Sequence, residues 1–331
     1  MQTSELFMLL PDYVCTPDGL EPDEETGELI LACPNFADPS MPSCICRIDK
    51  DRNIRKWFDM PLNPKTNEAR AMGVAFGPDR DLYIVDNQCW WEDRADLQFQ
   101  GRIIRVRMNG DEIEKVTTVA YGMEHPNGIR IKGNYLYVTQ SYLHKVPGPD
   151  GKLMSCVYRF RLDDENIAVT NTLEDENIVA TFVTHNPKCQ YGVDGIVFGA
   201  DGNLYIGNFG DGEIYKLTMD EEGNVVSNEP WAKNPSQLKS TDGMTLDKNG
   251  NIYIADFSAN AIGKVDPKGN ITRIAVSPDT DGLHGELDQP GEPCVWGDTI
   301  VISCFDLVTD DDKVNTAHEM PATLCMLKIE E

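Results

Sequence analysis

Val193-Asp194-Gly195-Ile196-Val197-Phe198-Gly199-Ala200-Asp201-Gly202-Asn203-Leu204-Tyr205-Ile206 decides the fold. The chain says it again as Thr241-Asp242-Gly243-Met244-Thr245-Leu246-Asp247-Lys248-Asn249-Gly250-Asn251-Ile252-Tyr253-Ile254. Each copy is a polar-Gly pair, a short alternating strand, an Asp/Asn/Gly hairpin turn and a second strand. Working outward, Met72-Gly73-Val74-Ala75-Phe76 leads to Leu82-Tyr83-Ile84-Val85, and Asn127-Gly128-Ile129-Arg130-Ile131 leads to Leu136-Tyr137-Val138. Weaker copies run from Asp18-Gly19-Leu20 to Leu29-Ile30-Leu31 and from Glu292-Pro293-Cys294-Val295 to Ile300-Val301-Ile302. The starts lie roughly 50 to 65 residues apart, the length of a propeller blade with its loops. A third strand (Glu213-Ile214-Tyr215-Lys216-Leu217) and a fourth (Asn270-Ile271-Thr272-Arg273-Ile274) complete the unit, and no long stretch keeps a helical apolar period. The expectation is an all-β, six-bladed β-propeller with four antiparallel strands per blade, a single domain over residues 1–331.

The last copy lacks an outer strand, because the chain stops soon after Leu324-Cys325-Met326-Leu327-Lys328-Ile329. Leu6-Phe7-Met8-Leu9-Leu10 precedes the first copy and has no partner there. Pairing it into the final blade joins the two ends and removes an open edge.

Asp and Glu number 55 against 29 Lys and Arg, a formal charge of −26. Such a field repels phosphate backbones and anionic lipid headgroups, which excludes nucleic acid and membrane surfaces as partners. It attracts a cation wherever carboxylates converge. The ten cysteines are scattered without a Cys-x-x-Cys pair, and no segment approaches the ~18 apolar residues of a membrane span. The short apolar N-terminus has no basic region before it, so the expected location is cytoplasmic, with reduced thiols. Oligomeric state is not legible.

In a propeller blade the first strand lies nearest the axis and the second runs back beside it. One face therefore collects Asp18, Met72, Asn127, Asp194, Asp242 and Glu292 before the first strands. It is also expected to collect Asn35, Asp86-Asn87-Gln88, Gln140-Ser141, Asn208-Phe209, Asp256-Phe257 and Asp306 at the ends of the second. A ring of carboxylates and amides calls for a cation, and oxygen donors without His or Cys suit a hard ion such as Ca²⁺. Asp or Asn before Gly also forms turns through its own backbone. Asp201-Gly202 and Asn249-Gly250, inside hairpins, are read as turns alone; the axial pairs admit both readings.

The ordered series His125-Pro126-Asn127-Gly128-Ile129, Leu136-Tyr137-Val138, Val157-Tyr158-Arg159-Phe160-Arg161-Leu162, Val193-Asp194-Gly195-Ile196 and Gly202-Asn203-Leu204-Tyr205-Ile206 resembles the gluconolactonase/regucalcin (senescence marker protein) family. It is also similar to the related squid-type diisopropylfluorophosphatase. The resemblance implies that Asn127 and Asp194 are ligands of a divalent cation, Ca²⁺ first, with Zn²⁺, Mg²⁺ or Mn²⁺ as alternatives. The family's third ligand is a Glu three blades before the Asn. In a closed ring of six, Glu292-Pro293-Cys294-Val295-Trp296 takes that place, ranked ahead of Asp18, which is two blades before. Where relatives carry a further Asn, this chain reads Arg70-Ala71-Met72-Gly73. Arg70 is thus a substrate contact through its guanidinium fork or a surface residue. Asp18, Asp242 and His125 are further substrate-contact candidates, His125 as a proton shuttle or as a packed histidine. Trp90-Trp91, in the long connection 89–100, are candidates for stacking or for a lid. Asp310-Asp311-Asp312 reads as a solvated loop.

The implied reaction is hydrolysis of a small lactone, sugar-type or other. The ion polarises the carbonyl and Asp194 accepts a proton from the attacking water. Three rivals remain. One is a phosphotriester or ester hydrolase on the same ion, with direct attack by Asp194. Another is a non-catalytic propeller binding a peptide or sugar on the same face; a strictosidine-synthase-like propeller is more distant. Only the hydrolases need Asn127, Asp194 and a Glu to converge.

Overall fold

The structure, a computed structural model, describes residues 1–88, 94–309 and 313–329. Six antiparallel sheets stand around one axis. Their innermost strands, which number the blades one to six, are Leu20–Pro22, Ala71–Phe76, Pro126–Lys132, Val193–Phe198, Met244–Leu246 and Pro290–Trp296. Each inner strand packs on the next and the last on the first, so the ring is a closed six-bladed β-propeller. The described residues contain three short 3₁₀ turns and no α-helix. None of their helices is long and apolar enough to cross a membrane, which says nothing of a β-barrel.

Closure takes the expected route. Glu5–Leu9 pairs antiparallel with Thr323–Lys328 as the outer strand of blade six, Glu5 opposite Met326 and Leu9 opposite Thr323. Phe7 is buried there, edge-on to Trp296 with ring centroids 5.9 Å apart, and the Arg52 guanidinium lies 4.6 Å from its ring centroid.

Three details depart from the sequence reading. Second strands such as Leu29–Cys33, Leu82–Asp86 and Ile252–Asp256 are buried along their whole length, because neighbouring blades cover both faces. Their tyrosines reach across: the Tyr83 and Tyr137 hydroxyls donate to the carbonyls of Leu162 and Gly223 in the next blade, both at 2.9 Å. Blade two carries a fifth strand, Ile167–Ala168, running parallel to the edge of Glu112–Met123. The cysteines are not all scattered, either. Cys33, Cys44 and Cys46 of blade one gather, the Cys46 Sγ 3.9 Å from each of the other two sulfurs.

The glycine of each polar-Gly pair answers to crowding at the hub. A Cβ on Gly73 would meet the Asn127 carbonyl oxygen at 2.7 Å, and one on Gly128 the Asp194 carbonyl oxygen at 2.8 Å. Gly195 lies likewise against Asp242, and Gly243 against Glu292. In these four blades the glycine thus abuts the polar residue of the next blade, and Gly19 of blade one abuts Met72. The repeated dipeptide records how closely the inner strands approach.

Candidate metal centre and its funnel

Five inner strands bring Asp18, Asn127, Asp194, Asp242 and Glu292 around one cavity of about 10 Å³, room for a single water or ion. Blade two contributes Met72, which lies above, in the funnel. Asn127 Nδ2 donates to Asp194 Oδ2 at 2.6 Å and to the Tyr191 hydroxyl at 3.2 Å. Burial pushes the Asp194 carboxyl up to about 8 and the Glu292 charge adds to it, while hydrogen bonds from Tyr191 and Asn127 pull the other way. Asp18 is held well above the usual carboxylate range by burial, then by Glu292 and Asp194; Asp242 by burial, then by Asp194, Asp18 and Glu292. Oxygen donors that repel one another around an ion-sized space fit a hard divalent cation. Among the described residues, no three of these carboxylates offer oxygens that all lie within 4.8 Å of one another; Asp288, Asp306 and Glu319 do, and so do the three thiols of blade one. The donor set at the hub therefore depends on the Asn127 amide as well as on carboxylates.

The hub also holds a cation that the sequence reading passed over. Arg130 Nη2 donates to Glu292 Oε1 at 2.7 Å and to the Met244 carbonyl at 2.8 Å. Burial raises the Glu21 carboxyl to about 7 against the opposing charge of Arg130. Glu21 and Arg130 stand at equivalent places, three residues beyond Asp18 and Asn127. A charge in the middle of an innermost strand was the available signal, since buried charges need partners. Glu292 thus has one oxygen on Arg130, and burial still raises its carboxyl against that guanidinium.

Arg70 does not reach the channel. Its guanidinium donates to the carbonyls of Pro34, Pro39 and Met41 and to Glu68, and the residue is 2% exposed. It fastens the loop that follows the second strand of blade one and is buried, not a surface residue. The polar ends of the second strands are also turned away. Asn35 accepts from the Cys15 N–H and donates to the carbonyls of Tyr13 and Pro42. Asp256 accepts from the Lys239 and Ser240 N–H groups and from Arg273. Asn208 accepts from the Thr184 hydroxyl and donates to the Val183 carbonyl at the end of blade three's outer strand, Ile178–Thr184, and Asp306 accepts from Asn315 and the Glu319 N–H of its own loop. The adjacent residues Phe209, Phe257 and Phe305 line the funnel where the chain has left the extended conformation: Phe257 opens a 3₁₀ turn and Asp306 has φ 46°.

Above the small cavity opens a funnel of about 1010 Å³ that shares Asp18, Asn127, Asp194 and Asp242 with it. Its wall includes a chain of aromatic rings. Phe305 to Phe257 is 5.8 Å between centroids, Phe257 to Phe209 5.6 Å, Phe209 to Tyr191 4.9 Å and Tyr191 to Tyr142 5.3 Å, with Phe36 packed behind Phe305 at 6.2 Å. His125 lines it too, its Nε2 2.7 Å from the Tyr191 hydroxyl and its ring 4.5 Å from that of Tyr142. Trp90, Trp91 and residues 310–312 lie outside the described residues.

Residues 193–281 match the model of one family, the SMP-30/gluconolactonase/LRE-like region. This SMP-30/gluconolactonase-like stretch holds Asp194 and Asp242, while Asn127 and Glu292 join it through the ring. A gluconolactonase from Xanthomonas campestris superposes with a TM-score of 0.62 at 14% identity, over 100% of this chain and 96% of that one. A regucalcin from Agrobacterium tumefaciens, described as calcium-binding, gives 0.62 at 15% identity over 98% and 93%. A PQQ-bound aldose sugar dehydrogenase from Streptomyces coelicolor gives 0.62 at 16% identity over 99% and 98%. At these identities the likeness establishes the fold, and one fold carries differently named enzymes. No curated protein matches the sequence.

Proposed function

We propose that the protein is a metal-dependent lactonase acting on a small molecule at the hub of the propeller. One observation carries the reading: Asn127 and Asp194, 67 positions apart, meet at 2.6 Å beside an ion-sized cavity beneath the funnel. The SMP-30/gluconolactonase-like region supports the reaction class, and the calcium-binding regucalcin of the same fold supports Ca²⁺ as the ion. Asn127 and Asp194 would hold it, with Glu292, Asp18 and Asp242 completing the surround. A divalent cation bound there supplies Lewis-acid polarisation of the ester carbonyl and favours the ionised form of the carboxylates around it.

Asp194 accepts the proton of the attacking water, its orientation set by hydrogen bonds from Asn127 and Tyr191. His125, on the far side of the Tyr191 hydroxyl, is placed to take a proton onward through it. Arg130 pins one oxygen of Glu292, keeping that carboxylate directed at the hub.

The test is metal analysis of the purified protein, followed by a lactone panel with and without chelator. Asp194→Asn is expected to lower kcat by about 10² or more, and Asn127→Ala to lose the ion. A metal-free active protein rejects the metal centre. A fully active Asp194→Asn variant rejects the base. Phosphotriesters cleaved in preference to every lactone would transfer the site to that ester class.

A further inference from the structure

We propose that the funnel selects a cyclic ester bearing a flat, apolar substituent over a polyhydroxylated sugar lactone. The ester bond rests on the hydrolase reading above; recognition of the substituent rests on the wall of the funnel.

A hydroxyl-rich ligand is held by polar side chains that point inward with hydrogen-bonding capacity to offer. Here the residues best placed for that, Asn35, Asn208, Asp256 and Asp306, turn outward and bond to backbone and loop partners. Arg70 is likewise committed to three carbonyls. Several polar groups on the rim are already engaged: Glu124 with His144 at 2.7 Å, His125 with Tyr191 at 2.7 Å, and Gln190 with the Leu153 N–H and the Thr184 and Asn186 carbonyls, while the Lys313 ammonium lies 5.9 Å from the Phe209 ring centroid.

One side of the space is aromatic, facing Gln98, Gln190, Thr309 and Lys313 across the funnel. Phe209, Phe257 and Phe305 are 5, 4 and 2% exposed, each wedged against the next at 5.6 and 5.8 Å. Rings fixed in this way form a preorganised wall, and centroid spacings of about 4.5–7 Å are those at which a further ring stacks or meets edge to face. The cavity of about 1010 Å³ lies at the top of the roughly 300–1,000 Å³ range of small-molecule sites, more than a bare lactone ring fills. A ligand with its ester at the acidic floor has its remaining surface against these rings.

The test compares dihydrocoumarin with glucono-1,5-lactone in the full-length protein, by kcat/KM. The aryl lactone is expected to be preferred at least tenfold. Phe257→Leu and Phe305→Leu, which keep volume and remove the ring, are expected to lower that preference about tenfold, through KM. Melting curves establish that the variants are folded. Calorimetric binding of chroman-4-one, which has no ester, reads the wall without turnover, and Phe257→Leu should weaken it by a similar factor. Chroman-4-one binding without hydrolysis of any lactone supports the aromatic wall and overturns the hydrolase reading. Equal or better turnover of the sugar lactone, or no binding of chroman-4-one, overturns the selectivity proposed here and leaves the hydrolase reading standing.

Discussion

Arg130→Met removes the one arginine that lines the hub among the described residues and leaves Glu292, beside Asp18 and Asp194, without the guanidinium it pairs with. Removing one partner of a buried ion pair costs about 3–5 kcal/mol. The Arg130 and Glu292 side chains keep 19% and 15% exposure toward the channel, which puts the expected loss near the lower end, about 3 kcal/mol. The bond from Arg130 to the Met244 carbonyl ties blade three to blade five, and its loss adds roughly 1 kcal/mol. Urea unfolding followed by tryptophan fluorescence, at pH 7 in chelator, reads the sum. Glu292→Gln in the Arg130→Met background should recover about 2 kcal/mol, because a neutral amide removes the nearer of the two carboxylates that face Arg130 and leaves only Glu21. The deficit of the single variant should also shrink as the pH falls, since protonating Glu292 removes the unpaired charge. A loss below about 1 kcal/mol, or no recovery in the double variant, would refute the argument that the guanidinium neutralises the hub.

In chelator, stability should fall as the pH rises. Asp194 holds its proton in the folded state up to about 8 but only to 3.8 when unfolded, so the stabilisation is complete below the lower value and is lost as pH climbs through the upper one. Asp18 and Asp242, raised by the same burial, act in the same direction. Urea midpoints between pH 5 and 9 check this, a midpoint that rises over the range contradicts it, and added Ca²⁺ at pH 8 should restore the loss. Phe7→Ala should destabilise the closed ring by about 3–5 kcal/mol, because it empties the contact of the N-terminal strand with Trp296. An unchanged thermal melt would exclude that strand from the load.

The number of blades, the sharing of the last blade by both ends, and the meeting of Asn127 with Asp194 were all legible in the order of residues. Hairpins are local, their turn chemistry is written beside them, and a residue at the start of an innermost strand is carried to the axis by register alone. Arg130 was legible only as a charge in the middle of an innermost strand; its partner was not, because ring closure alone sets it against Glu292, 162 positions away. Nor could sequence tell which of two neighbours at a strand end turns inward. Asp256 is claimed by the N–H groups of Lys239 and Ser240, which leaves Phe257 to face the axis, so an expected polar rim became an aromatic one. The direction of a side chain beyond the last ladder bond depends on which distant loop has hydrogen bonds to satisfy, and only the assembled ring supplies that loop.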